Sequence, residues 1–300
     1  MKRFISMVLC LLICISLSVN TYAYSEKKAP ELDYSNIVGS MTAEEFFALS
    51  SEEQLALVER CYEVTFPKKQ SKPSARYKSG DEDGTHQPIA AMALSILDHD
   101  KGFWIMGTEG IGVILRIAVF AGAPDYSDDE SYVVGNSNHF YVVDTGKGLN
   151  GKESSSVKFV EYYNKAKAAQ KRGDNYLAAE HLGRALHYVQ DASVPHHTIS
   201  YLTIAHANYE KFCSENVETY LSELENSDSI NTLYPSITKR ALNEIVPFEA
   251  EYSHDFYDSV KSTLNKSKWN STARQLIKRS TKVSAAILYK FALDSNLTLS

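Results

Sequence analysis

From residue 84 to residue 293, apolar side chains recur three and four positions apart, and no series of alternating apolar and polar residues interrupts them. That period belongs to helices that each bury one stripe. It predicts helices over 86–98, 108–121, 154–171, 174–192, 200–225, 236–263 and 268–293. A strand-built core is excluded, and no repeat of about 20–50 residues is visible, so the expected fold is an all-α, single-domain helical bundle. With 44% of 300 residues apolar, the chain has enough nonpolar surface to close such a core. The exception is 122–153, which carries Gly122, Pro124, Gly146, Gly148 and Gly151 and lacks the helical period. A connection of that length inside a compact domain is expected to serve function.

The N-terminus reads as an address. Lys2 and Arg3 precede an apolar run from Ile5 to Val19, and Thr21-Tyr22-Ala23 supplies small residues where a signal peptidase reads. This is the layout of a secretory signal, and the run is too short for a comfortable membrane span. Residues 1–23 are therefore expected to be removed and the protein to be secreted. Residues 24–76 differ from the remainder. Thr42 to Phe66 reads as one Glu-rich helix capped by Thr42, and the basic, Pro- and Ser-rich stretch from Pro67 to Gly80 reads as a linker. The expectation is a pro-like segment and linker over 24–76, its alternative being a helix packed on the main domain, with 77–300 as the working domain. Only Cys61 and Cys213 lie beyond the signal, too few for a disulfide framework, and their pairing is open. The net charge of −6 lacks the broad basic field that holds a nucleic-acid backbone.

One stretch concentrates chemistry: His187-Tyr188-Val189-Gln190-Asp191-Ala192-Ser193-Val194-Pro195-His196-His197. His187 and Asp191, four apart, project from one helix face, and Pro195 ends the helix so that a turn can return His197 to the same region. His206 and Glu210 repeat the four-residue spacing. Imidazole and carboxylate pairs on successive helices are how bundles build metal sites, and this mixture suits zinc. A single such pair is more often a surface ion pair; two around a Pro-His-His turn are much rarer.

The wider pattern resembles the zinc-dependent bacterial phospholipases C of the alpha-toxin type. His187-Tyr188, Asp191, Pro195 and His197 look like that family's H-Y-x-x-D-x-x-x-P-x-H signature, and His206 with Glu210 its later H-x-x-x-E. Upstream, Gly84-Thr85-His86 resembles the first ligand histidine, Pro124-Asp125-Tyr126 with His139 an aspartate–histidine pair, and Ser284 to Phe291 the closing helix. The resemblance implies up to three zinc ions. Asp125, His139 and His187 would hold one, Asp191 would bridge it to a second on His86, and His197, His206 and Glu210 would hold the third. Asp125 would also serve as general base in hydrolysis of glycerophospholipids to diacylglycerol and a phosphorylated head group. Tyr126 and Asn136 would face the head group; Asn136 stands where choline-cleaving members carry an aromatic residue. The partner implied is phospholipid at a membrane or micelle surface, met by a monomer. The match departs in having no Trp before His86, and in Gln190, where a small residue is usual. The rival readings are a single-strand nuclease-like zinc hydrolase and a non-catalytic, zinc-binding exported helical protein. His99, His181, His196 and His254 fall outside the pattern and read as surface or supporting residues, and Trp104 and Trp269 as packing residues.

Overall fold

The computed structural model describes residues 32–67, 84–102, 110–126, 129, 131–132, 136–224, 233–264 and 266–297. The expected signal at 1–23, the linker after Pro67 and Trp104 lie outside them. The described residues form twelve α-helices: α1 (Ser35–Val38), α2 (Ala43–Phe47), α3 (Ser51–Thr65), α4 (His86–Lys101), α5 (Ile111–Phe120), α6 (Ser155–Lys171), α7 (Asn175–Asp191), α8 (Ile204–Ser222), α9 (Leu233–Thr238), α10 (Leu242–His254), α11 (Tyr257–Val260) and α12 (Lys266–Asp294). Among them the one β-type pairing is an isolated bridge between Val142 and Lys147. The architecture is the all-α bundle that the periodicity predicts.

α7 is the axis. The Asp174 side chain caps it by accepting from the Leu177 N–H, and every residue from Leu177 to Asp191 is buried. A helix buried all round needs neighbours on every side, and α4, α5, α6, α10 and α12 supply them. At Gly183 the α5 backbone comes so near that a Cβ would lie 2.5 Å from the Ile117 carbonyl oxygen. Charged pairs reinforce the same contact. Arg116 of α5 is paired with Glu180 of α7, and Arg184 forks onto Asp129 Oδ2 at 3.0 and 2.7 Å while lying over the Phe120 ring. A second apolar cluster joins α4, α8, α11 and α12 through Ile89, Met92, Tyr209, Val260 and the fully buried Trp269.

Several boundaries differ from the periodicity. The stretch 42–66 is two helices, because Ser50 and Glu53 form a second capping box within eight residues of that of Thr42 and Glu45. The stretch 236–263 is likewise broken into the end of α9, α10 and α11. The long connection 122–153 carries three 3₁₀ turns, Ala123–Asp125, Ser137–His139 and Leu149–Gly151. It is laced to the segment after α7, with Tyr141 N–H donating to His197 O at 2.9 Å and Val143 N–H to Thr198 O at 3.1 Å.

The N-terminal helices pack on the bundle through α3, which lies on α4 and α5. Ser95 donates to Gln54 Oε1 at 2.7 Å, and Phe66 meets the Phe120 ring edge-on and the Tyr126 ring at a tilt. Cys61 and Cys213 are free thiols, and burial pushes both up to about 12.

Candidate metal centre

Each of the eight ligand candidates sits where an element begins, ends or turns. His86 opens α4, Asp125 ends the first 3₁₀ turn and His139 the second, His187 and Asp191 occupy the last turns of α7, and His197 lies in the 3₁₀ turn Pro195–Thr198. His206 and Glu210 lie one turn apart at the start of α8. The helix-end positions let side chains from six separate segments meet in one cleft.

Two neighbouring groups result. In the first, Asp191 Oδ2 is 2.8 Å from His139 Nδ1 and 3.1 Å from His187 Nε2, and these two nitrogens are 2.9 Å apart. Asp125 Oδ1 stands 3.6 and 3.7 Å from the same nitrogens. His86 Nε2 lies 3.7 Å from Asp125 Oδ2 and 3.8 Å from Asp191 Oδ1. In the second group, His197 Nε2, His206 Nε2 and Glu210 Oε1 form a triangle with sides of 2.9, 2.9 and 3.1 Å. Asp191 links the groups, since its Oδ1 is 3.1 Å from His197 Nδ1.

These donors fit zinc. A tetrahedral shell of nitrogen and oxygen ligands has edges of about 3.3–3.5 Å, close to the triangle's sides. Three triads bring one atom from each member within 4.8 Å: His86, His187 and Asp191; Asp125, His139 and His187; and His197, His206 and Glu210. Asp191 Oδ2 is buried and makes no hydrogen bond of acceptable geometry. A buried carboxylate oxygen in that condition is costly unless a cation meets it.

The electrostatics point the same way. Burial opposes charge on Asp191, yet the facing rings of His187, His139 and His197 hold its pKa well below the carboxylate range. Glu210 is driven down against its burial by His206 and His197. Burial pushes His86 down to about 4, leaving a neutral ring with a free lone pair. His187 and His197, despite burial, are drawn up to about 9 and about 10, mainly by Asp191. The carboxylates thus draw positive charge to this spot, where a proton and a divalent cation compete. The cleft opens along Asp125, Glu210 and His86, which are 23%, 21% and 15% exposed, whereas His187 is sealed.

Supporting groups appear that the sequence pattern does not announce. His187 Nδ1 donates to the Ala121 carbonyl at 2.8 Å, so loss of the Nε2 proton would leave that nitrogen's lone pair available to a cation. Phe140 packs on the His197 ring with centroids 4.6 Å apart. His196 is buried and lies parallel to His206, with centroids 5.3 Å apart. His254 Nδ1 pairs with Thr198 Oγ1 at 2.8 Å. His181 is buried against Tyr162, and His99 is exposed beside Asp100. Tyr126 donates to the Pro67 carbonyl at 2.8 Å and packs on Phe66. Asn136 takes a left-handed φ of 48° to open the turn that presents His139.

No protein-family model matches the chain. Its sequence is 27% identical over 242 residues to phospholipase C of Paraclostridium bifermentans, covering 70% of this chain and 59% of that protein. It is 22% identical over 243 residues to phospholipase C of Clostridium perfringens, covering 71% and 60%. The chain thus spans about three-fifths of the length of these curated relatives. Among solved structures it superimposes on the alpha toxin from Clostridium absonum with a TM-score of 0.61 and 21% identity, covering 72% of this chain and 65% of that one. The alpha-toxin from an avian strain of C. perfringens gives 0.58, also at 21% identity, with the same coverage. The chain therefore resembles the bacterial phospholipases C in sequence and shares the all-α fold of alpha-toxin.

Proposed function

We propose that the chain is a secreted, zinc-dependent phosphodiesterase of the phospholipase C type, hydrolysing glycerophospholipids to diacylglycerol and a phosphorylated head group. The observation that carries this is the convergence of three carboxylates and five imidazole rings on one half-open cleft, bridged by Asp191. In this reading Asp125, His139 and His187 would hold one zinc, His86 and Asp191 would contribute to a second, and His197, His206 and Glu210 would hold a third. Bound zinc supplies Lewis-acid charge that neutralises a phosphodiester and makes water nucleophilic. The chain's own groups do the remainder. Asp125, the most exposed of the carboxylates, would accept the proton of the attacking water. Ala121 O and Asp191 hold the rings of His187 and His197 in fixed orientations. Tyr126, next to Asp125 in the chain, and Asn136 border the head group.

A lipid substrate is supported by what flanks the cleft. Tyr201, Leu202 and Ile204, in the segment between His197 and His206, are 55%, 45% and 80% exposed. Three large exposed apolar side chains within four residues, in the segment that joins two ligands, suit a lipid surface better than a nucleic-acid backbone. No described helix is long and apolar enough to cross a membrane, and the reading is of a monomer meeting lipid from the aqueous side.

Residues 1–23 are proposed as the export signal, 24–76 as a pro-like segment and 77–300 as the catalytic domain. N-terminal sequencing of the secreted protein separates a start near Tyr24 from one near Tyr77. The activity is tested by offering phospholipid, a chromogenic phosphocholine ester and single-stranded DNA, each with and without chelator. Chelator-sensitive release of diacylglycerol is expected. Cleavage of DNA alone would replace this reading with the nuclease one, and inertness toward all three would leave a non-catalytic zinc protein.

A further inference from the structure

His86 Nδ1 lies 2.9 Å from Gln190 Oε1, and Gln190 Nε2 lies 3.2 Å from Ser284 Oγ. This chain of contacts crosses three helices, from the first residue of α4, through the residue before Asp191 on α7, to the middle of α12. Gln190 and Ser284 are buried. We infer that Gln190 is a positioning residue that fixes the ring and tautomer of His86 for metal binding, with Ser284 anchoring its amide. The inference rests on the zinc reading above and is independent of the substrate.

The chemistry is that of a two-faced amide. A glutamine can offer oxygen or nitrogen to an imidazole, and the choice decides which ring nitrogen carries the proton. With its NH₂ turned to Ser284 Oγ, Gln190 presents oxygen to His86, and only a protonated Nδ1 satisfies it. His86 Nε2 is then unprotonated, with its lone pair facing Asp125 Oδ2 and Asp191 Oδ1, 3.7 and 3.8 Å away. The reversed amide would require Nδ1 to accept, placing the Nε2–H where a cation must sit. Metal-bound histidines commonly donate their other N–H to a carbonyl or carboxylate, and removing that partner typically costs about 10–100-fold in affinity. His187 has the backbone of Ala121 for this purpose. His86 depends on a side chain that mutation can remove without disturbing a ligand.

The test uses the intact zinc-loaded protein and two readouts: competition with a chromophoric chelator for each ion, and ¹⁵N NMR of the histidine rings, with His86 assigned by its loss in H86Q. The wild type is expected to show His86 protonated at Nδ1 alone. Gln190→Met keeps the volume, removes the acceptor, and is expected to weaken one zinc about 10–100-fold while sparing the ions on the other histidines. Gln190→Glu, an acceptor that cannot turn into a donor, is expected to retain that ion. Ser284→Ala removes the hydrogen bond that anchors the amide and should give a smaller loss at the same ion, which decides the matter should Gln190→Met fail to fold. Unchanged zinc affinity in Gln190→Met, or His86 protonated at Nε2 in the wild type, overturns the inference while leaving the zinc site standing. A wild type that takes up no zinc overturns both.

Discussion

Gly183→Ala tests how the ligand helix is seated. Two effects oppose each other. Alanine in a helix interior is favoured over glycine by about 1 kcal/mol. Against this, the new Cβ would lie 2.5 Å from Ile117 O, 2.9 Å from Phe120 C and 3.0 Å from Ala121 N. The first contact is about 1 Å short of ordinary packing distance, and backbone atoms cannot swing aside. Relief requires α5 and α7 to separate, and overpacking of this kind costs about 1–3 kcal/mol or more. With backbone atoms on both sides the upper part of that range applies, leaving a net loss of up to about 2 kcal/mol and a melting temperature lower by up to roughly 8 °C. Because Ala121 is among the atoms displaced, the 2.8 Å bond from its carbonyl to His187 Nδ1 should loosen too, and zinc affinity should fall with stability. Gly112→Ala in α5 is the control: its Cβ would meet only the Tyr176 side chain at 3.2 Å or more, which can give way, so stability should stay within about 0.5 kcal/mol. Thermal and urea unfolding of both variants, with zinc titration, provide the assay. A Gly183→Ala protein as stable and as zinc-avid as the wild type would refute the close α5–α7 contact.

Asp191→Asn should lower zinc affinity at more than one position, by more than the roughly 100-fold that supporting residues reach, because Asp191 faces both groups; metal analysis after dialysis reads it. Arg184 holds Asp129 below its ordinary pKa despite burial, so the pair's stabilisation is present above the unfolded value near ~3.9 and is lost as pH falls through the lower folded value. Asp129→Asn should cost about 3 kcal/mol at pH 7 and flatten the acid limb of a stability-versus-pH curve. A variant with the wild-type curve would show the pair to be idle. Replacing Leu202 and Ile204 together by Ser should reduce hydrolysis of phospholipid vesicles about tenfold or more, since each exposed side chain, half-transferred to lipid, contributes about 1 kcal/mol. Turnover of a soluble phosphocholine ester should be unchanged, and equal losses on both substrates would place these residues in the catalytic cleft instead.

Much of this protein is visible in its sequence because the relevant signals are local. Helical period marks α4 to α8 and α12, and four-residue spacing aligns His187 with Asp191 and His206 with Glu210 before any coordinates are known. Helix boundaries depart from the period where a cap competes with it, as at Ser50, whose capping box with Glu53 is written in the sequence but sits inside a continuous apolar stripe. What holds the ligands is less legible. Ala121 contributes a carbonyl, which every residue has, and Gly183 matters only because another helix passes over it. The lacing of Tyr141 and Val143 to His197 and Thr198 is long-range backbone pairing without a side-chain signature, so 122–153 read as a loop although it is tied down beside the ligands. Gln190 was noticeable as a departure from the resembling family, but its partners on α4 and α12 emerge only from the fold.

The central claim is that the donors on α4, α7, α8 and the 122–153 connection gather around zinc. Anomalous diffraction from crystals of the purified protein, recorded on both sides of the zinc absorption edge, addresses it directly. Zinc peaks are expected inside the His197–His206–Glu210 triangle, among Asp125, His139 and His187, and beside His86 and Asp191. Clear density for all eight side chains with no zinc signal among them, in protein purified with zinc present, would contradict it.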